Sequence, residues 1–299
     1  MPTAATVLGG EAPDGLSSVG GPCRHRGRGI PEREEKERTM QRLSRLSRSI
    51  AGKVALVTGA GSGMGRATCY LFADEGAHVA CCDINSDTAQ TTAATIREAG
   101  GSAEAWTLDV ADKAAVTATV QAVAEYFGGL DILVNNAGVS TPAPIDSDEY
   151  DAQWERAVAV NIAAHTYTIR AALPWLRQCD SGGRIVNIAS TEGLGATPTI
   201  SPYTATKHAV IGLTRSLAVE LGKEGITVNC ICPGAINTGM TARYPDDAKA
   251  VFARRRIPLR RYAEPEEVAH ATLSLVLPAA SYINGVALPV DAGLTIKNA

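Results

Sequence analysis

The sequence predicts a doubly wound α/β fold, with a mostly parallel seven-stranded sheet, helices on both faces and a single domain over residues 51–299. Three observations predict it. Short runs rich in Val, Ile and Ala recur and are apolar throughout rather than alternating, which suits strands covered on both faces. Helix-length segments with mixed faces separate them. The first run leads directly into a glycine-rich turn that opens a helix.

Taken in order, the strands are expected at Val54–Val57, Val79–Cys82, Ala103–Leu108, Ile132–Val134, Ile185–Ile188, Ile226–Ile231 and Val286–Val290. Helices are expected over 63–76, 112–127, 148–178, 202–222 and 264–277. No fixed-period repeat and no break marks a second domain. Residues 1–50 differ from the rest. They begin with Gly, Pro and Ala and then become dense in Arg and Glu (31–38), without apolar periodicity. They are expected to be a disordered extension with a short helix near 32–48, and Met40 is a plausible alternative start. The segment lacks the apolar stretch of a secretory signal, and its glutamates argue against a transit peptide.

Composition narrows the function classes. The 299 residues are 45% hydrophobic, enough for a substantial core, and a net charge of −3 gives no reason to expect nucleic acid or an anionic membrane as partner. No apolar run approaches the ~20 residues that span a bilayer. The seven cysteines lack zinc-like Cys-x-x-Cys pairing and read as reduced thiols of a cytoplasmic protein, and no metal site is expected.

The glycine-rich turn is Thr58-Gly59-Ala60-Gly61-Ser62-Gly63-Met64-Gly65. Glycines permit positive φ and close backbone approach. The helix that starts here directs free N–H groups and the positive end of its dipole at the turn, where a pyrophosphate is stabilised. Asp83 ends the second strand, twenty residues beyond Gly63, and a carboxylate there accepts hydrogen bonds from the adenosine ribose. It would repel a 2′-phosphate, and no Arg or Lys lies in 81–87, so NAD is favoured over NADP. Ile84 follows Asp83 at the same edge. Asp109 and Val110 close the third strand. They read as the border of the adenine, or Asp109 as a helix N-cap.

Tyr203 and Lys207 lie four residues apart in a helical stretch, which places them on one face a turn apart. A free phenol titrates near ~10, and an ammonium beside it lowers that value, so this tyrosine could exchange a proton with an alcohol near neutral pH.

Together these motifs resemble the short-chain dehydrogenase/reductase family over about residues 51–295, a Rossmann fold. The match rests on the Gly59/Gly63/Gly65 turn, Asn135-Asn136-Ala137-Gly138, Ser190 thirteen residues before Tyr203, Tyr203-x-x-x-Lys207, and Pro233-Gly234. The resemblance implies that Ser190 holds the substrate oxygen, that Tyr203 is the general acid or base, and that Lys207 tunes the tyrosine and binds the nicotinamide ribose. It implies that Asn161 holds a water linking the lysine to solvent. Asn135, Asn136, Ala137 and Gly138 would shape the sheet edge beside the cofactor. Pro233, Gly234, Ile236 and Thr238 would border the nicotinamide. Thr191, Glu192, Leu194 and Met240 are expected to face the substrate with Ser190 and Tyr203, and 237–257 to be a mobile stretch over the site. His165 and His208 are out of register with the proton relay and are expected only to pack. Asp291-Ala292-Gly293 departs from the family's usual Asp-Gly-Gly. The resemblance further implies a homotetramer paired through the helices of 148–178 and 202–222.

The reading is an NAD-dependent oxidoreductase that interconverts a secondary alcohol and a ketone. The rival enzyme is an NADPH-dependent 3-oxoacyl-thioester reductase whose Arg254–Arg256, Arg260 and Arg261 dock an acidic carrier. A rival of another class is a non-catalytic nucleotide-binding scaffold.

Overall fold

The structure is a computed structural model and describes residues 43–298. The expected disordered extension, and most of its short helix, lie outside the described residues. Within 43–50 no helix is present. The Ser47 carbonyl accepts the Ala279 N–H at 2.8 Å and Ile50 is fully buried, so these last residues belong to the body of the fold.

The strands are β1 (Val54–Thr58), β2 (His78–Asp83), β3 (Ser102–Thr107), β4 (Ile132–Asn135), β5 (Arg184–Ile188), β6 (Thr227–Pro233) and β7 (Ala287–Val290). They form one sheet in the order β3-β2-β1-β4-β5-β6-β7, with every pairing parallel. The register couples Val57 to Cys81 on one side and to Val134 on the other. The strand order reverses between β1 and β4. A crevice therefore opens at the carboxyl ends of those two strands, where the crossovers leave in opposite directions.

Among the described residues, eight α-helices flank the sheet: α1 (Gly63–Asp74), α2 (Ser86–Glu98), α3 (Lys113–Phe127), α4 (Tyr150–Val158), α5 (Ala164–Leu176), α6 (Ser201–Leu221), α7 (Asp246–Arg256) and α8 (Pro265–Val276). Alternate strand residues feed two apolar layers. Val57, Val79 and Val134 pack with Phe72 of α1, Ile96 of α2 and Val268 of α8. Leu56, Leu133 and Ile185 pack with Val120 of α3, Ile169 of α5 and Leu221 of α6. This two-faced burial is why the central strands read as continuous apolar runs.

Three elements differ from expectation. Segment 148–178 is not a single regular helix, because a π-helical turn (Ala159–Ala163) separates α4 from α5 and holds Asn161. Helix α2 was not expected. Its threonines dilute the apolar signal, yet Ala89, Thr92, Ala93 and Ile96 share a buried face and the Asn85 side chain caps it by accepting the Thr88 N–H. Helix α7 lies inside the stretch expected to be mobile. It buries only Ala253, so no apolar stripe announces it, and acidic residues in its first turn and Arg254–Arg256 in its last complement its dipole.

Ala292 adopts φ +53°, the left-handed region that glycine fills without cost, so the departure from Asp-Gly-Gly places an alanine in a strained conformation. Ala292→Gly should stabilise the fold by about 0.5–1 kcal/mol, the relieved strain being partly offset by unfolded-state entropy. Urea denaturation of the two proteins checks this, and an unchanged or lower midpoint would contradict it.

Candidate active site

The β1–α1 turn is held by contacts that only glycine allows. Gly59 has φ +67°, and a Cβ there would lie 2.8 Å from the Asn136 amide nitrogen. A Cβ on Gly65 would lie 2.0 Å from the Gly59 carbonyl oxygen. The Asn136 side chain donates to the carbonyls of Thr58 at 2.8 Å and Gly59 at 3.3 Å. In return the Thr58 hydroxyl accepts the N–H groups of Asn136 and Ala137, each at 3.0 Å. The turn and the end of β4 are thus one joint.

The Ser62 side chain makes no capping hydrogen bond, so the first-turn N–H groups of α1 remain open to the crevice. The crevice encloses about 800 Å³. Ser62, Gly63 and Met64 line its floor, Asp83, Ile84, Asp109 and Val110 one end, and Asn136, Ala137, Gly138 and Thr238 the other. Uncapped helix N–H groups, a glycine cradle and an acid at the tip of β2 fit a dinucleotide.

The Asp83 carboxylate accepts the Gly61 N–H at 2.8 Å through Oδ2 and the Asn85 N–H at 2.9 Å through Oδ1. Each oxygen keeps a further lone pair toward the crevice. Gly61 closes the turn on Asp83, and a Cβ there would lie 2.2 Å from the Thr88 hydroxyl. Asp109 is not the cap of α3. It accepts the Ala111 N–H at 2.9 Å, while Asp112 caps that helix by accepting Ala114 and Ala115.

A smaller inner pocket of about 100 Å³ adjoins the crevice and brings together Ser190, Tyr203 and Lys207, with Pro233, Gly234, Ile236 and Met240 around them. Tyr203 and Lys207 come from the first turns of α6, and Ser190 from the turn after β5. Lys207 is buried, and its Nζ donates to the Ile188 carbonyl at 2.8 Å. Burial pushes its pKa down to about 8. Its Nζ lies 5.5 Å from the centre of the Tyr203 ring.

The lysine was expected to lower the tyrosine's pKa. Instead, desolvation raises the Tyr203 phenol above its ordinary value, a hydrogen bond with Ser190 pulls it part of the way back, and the Glu192 charge raises it. The physical reason is burial of the phenol, and the Lys207 Nζ, 5.5 Å from the ring centre, donates to the Ile188 carbonyl.

Asn161 anchors the loop after β4: its Oδ1 accepts the Val139 N–H at 2.8 Å, and its Nδ2 donates to the Val139 carbonyl at 3.0 Å and to the Thr206 hydroxyl at 3.4 Å. Glu192, expected to face the substrate, turns its carboxylate away to Thr197 and Thr204. Thr191 sits in the same 3-10 turn, and Leu194 stands half-exposed at the rim.

His165 is buried, and desolvation followed by the nearby Lys207 charge lowers its pKa to about 3, so it is neutral. Arg261, part of the expected carrier-docking cluster, instead pairs with both oxygens of Glu267 at 2.7 Å.

Three site residues escaped the sequence reading. The Thr58 hydroxyl has a signal only in hindsight, as the residue before the first turn glycine. Arg66 holds the turn from behind by donating to the Gly61 carbonyl and, at 3.3 Å, to the Thr92 hydroxyl. Arg243 reaches across the mouth of the crevice to the Ser140 hydroxyl at 3.2 Å, a contact between segments 103 residues apart. Nothing local in the sequence signals it.

Residues 59–295 match the family model described as enoyl-(acyl carrier protein) reductase. A 2,5-dichloro-2,5-cyclohexadiene-1,4-diol dehydrogenase from Sphingobium indicum is 39% identical over 251 residues, spanning 84% of this chain and 99% of that protein. A meso-2,3-butanediol dehydrogenase from Serratia marcescens is 40% identical over 246 residues, spanning 82% of this chain and 96% of that one. Among solved structures, a protein assigned as an NAD(P)-dependent gluconate 5-dehydrogenase from Beutenbergia cavernae, with NADP bound at low occupancy, superposes with a TM-score of 0.78 at 37% identity, covering 84% of this chain and 99% of that chain.

Gly65→Ala should abolish dinucleotide binding, because a Cβ 2.0 Å from the Gly59 carbonyl forces the turn apart. Nicotinamide fluorescence titration measures this, and affinity within about threefold of wild type (under ~1 kcal/mol) would show that the turn relaxes freely.

Proposed function

The chain belongs to the short-chain dehydrogenase/reductase family, and on that premise we propose that it interconverts a secondary alcohol and a ketone with NAD, using Ser190, Tyr203, Lys207 and Asn161. That it is an alcohol dehydrogenase/ketone reductase acting on CH–OH groups with NAD(P) follows from the family and from its diol dehydrogenase relatives. The observation that carries the finer reading is the meeting of Ser190, Tyr203 and Lys207 in one pocket that opens into the dinucleotide crevice.

A bound nicotinamide supplies or accepts the hydride. In reduction, the Tyr203 phenol gives its proton to the carbonyl oxygen while the Ser190 hydroxyl donates to that oxygen as it gains negative charge. In oxidation, the Tyr203 oxygen takes the alcohol proton. Burial keeps the phenol protonated, and the Ser190 hydrogen bond favours the phenolate, so the serine helps the tyrosine to cycle. Lys207 keeps N–H groups beyond the one given to Ile188, and these are the groups that would hold the nicotinamide ribose.

NAD rather than NADP is supported by Asp83, whose carboxylate keeps acceptor capacity for ribose hydroxyls and would repel a 2′-phosphate. Arg66, the cation beside the turn, is already engaged with Gly61 and Thr92. The half-exposed Leu194 and Met240 give the rim an apolar character, and with the diol relatives they support a cyclic alcohol or diol as substrate. A homotetramer in the cytoplasm completes the reading. The thioester-reductase reading is favoured by a 3-oxoacyl-[acyl-carrier-protein] reductase from Thermotoga maritima that is 36% identical over 247 residues, spanning 83% of this chain and 99% of that protein. NADPH oxidation with a 3-oxoacyl thioester tests it.

Tyr203→Phe should reduce kcat at least ~1000-fold, consistent with loss of the proton donor, and leave NAD affinity nearly intact. Residual turnover above a few per cent with a panel of cyclic alcohols and diols would remove the tyrosine from the mechanism. Asp83→Ala should raise the NADP/NAD ratio of kcat/KM about tenfold or more, equivalent to ~1.4 kcal/mol. A wild-type preference for NADP would overturn the cofactor assignment.

A further inference from the structure

We propose that Glu192 is a positioning residue: its carboxylate binds the Ser190 turn, the pocket rim and the start of α6 into one unit that fixes Ser190 against Tyr203. The inference rests on the dehydrogenase reading of this site.

The geometry runs through three segments. The Glu192 N–H donates to the Ser190 hydroxyl at 3.1 Å, so the residue sits directly on the serine turn. Its Oε2 accepts the Thr197 N–H at 3.0 Å and the Thr204 hydroxyl at 2.9 Å, while Oε1 accepts the Thr197 hydroxyl at 2.6 Å. Three donors thus converge on the two oxygens of one carboxylate. Thr204 is the residue after Tyr203, so this bond links the serine turn to the helix turn that carries the phenol. One residue further on, Gly193 packs against α6 so closely that a Cβ would lie 2.7 Å from the Lys207 carbonyl.

The rim needs such a clamp. Thr199 adopts φ +65°, which is strained for a β-branched residue, and persists only when its surroundings hold it. Two ties do so: the Thr199 carbonyl accepts the Ala143 N–H at 2.8 Å, and Glu192 anchors Thr197 two residues earlier. Without the carboxylate, the rim can relax and carry the Ser190 turn with it.

Glu192 also acts through charge. The groups facing the phenol are Ser190 and Glu192 from the turn and Lys207 from α6, with Cys232 of β6 behind Ser190. The glutamate opposes formation of the phenolate. Removing its charge should lower the folded-state pKa of Tyr203. In alcohol oxidation the phenolate is the active form, so the rising limb of the rate against pH should move to lower pH. A role confined to packing would not move it.

The test compares Glu192→Gln, Glu192→Ala and Thr204→Val with wild type, using NAD and 2,3-butanediol or a cyclohexanediol, whichever wild type oxidises. In Glu192→Gln the amide keeps part of the clamp without charge, and the limb should shift to lower pH. In Glu192→Ala, kcat should fall about tenfold or more with NAD affinity unchanged, as expected for lost alignment. Thr204→Val should lower kcat severalfold with the limb in place, and it keeps the test decisive if the alanine variant folds poorly. An unmoved limb in Glu192→Gln, or wild-type kcat in both Glu192→Ala and Thr204→Val, overturns the assignment. Failure of wild type to oxidise any of these alcohols would fall on the functional reading instead.

Discussion

The joint between the β1–α1 turn and the end of β4 is the constraint on which the site depends. The Asn136 amide donates to Thr58 and Gly59 from one side, and the Thr58 hydroxyl receives Asn136 and Ala137 from the other. The two strands it joins are those between which the sheet order reverses, so their connections diverge and would leave backbone groups at both strand ends unpaired. The Asn–Thr exchange satisfies those groups and fixes the turn in the shape that presents the α1 N-terminus. Gly59 and Gly65 follow from it, since the carbonyl and amide that meet there leave no space for a Cβ.

A second polar set ties the sheet to the helices that carry the chemistry. The Asn135 amide donates to Asn187 Oδ1 at 3.0 Å, the Thr168 hydroxyl donates to Asn135 Oδ1 at 2.6 Å, and the Asn187 amide donates to the Thr214 hydroxyl at 3.0 Å. All four residues are buried, so losing any partner would strand a desolvated polar group at a cost of about 1–3 kcal/mol. This network locks β4 and β5 to α5 and α6 beneath the pocket. The placement of Ser190 against Tyr203 and Lys207 is therefore set from below by Asn135 and Asn187, and from the rim by Glu192.

What was legible in the sequence was whatever repeats or stands next to its partner along the chain. The central strands show as apolar runs because both faces are covered, and the glycine turn shows because its four glycines fall within seven residues. Tyr203 and Lys207 show because one helix carries both. Helix α7 was hidden, because it buries one alanine and leaves no stripe. The Arg243–Ser140 contact and the turning of Glu192 depend on how loops distant in sequence meet, which no local pattern encodes. The tyrosine–lysine electrostatics were misjudged for the same reason. Spacing placed both groups on one face, but burial of the phenol and the donation of the Lys207 Nζ to the Ile188 carbonyl of β5 come from the tertiary fold.

Asn161 shows how a residue type can be readable while its task is not. The loop after β4 presents both the N–H and the C=O of Val139 to it, and among short side chains only an amide offers an acceptor and a donor on two separate atoms. Aspartate could not satisfy the carbonyl, and serine could not span both groups. The requirement for asparagine is thus explained by the loop alone. From within the π-helical turn, its side chain anchors the loop that borders the crevice.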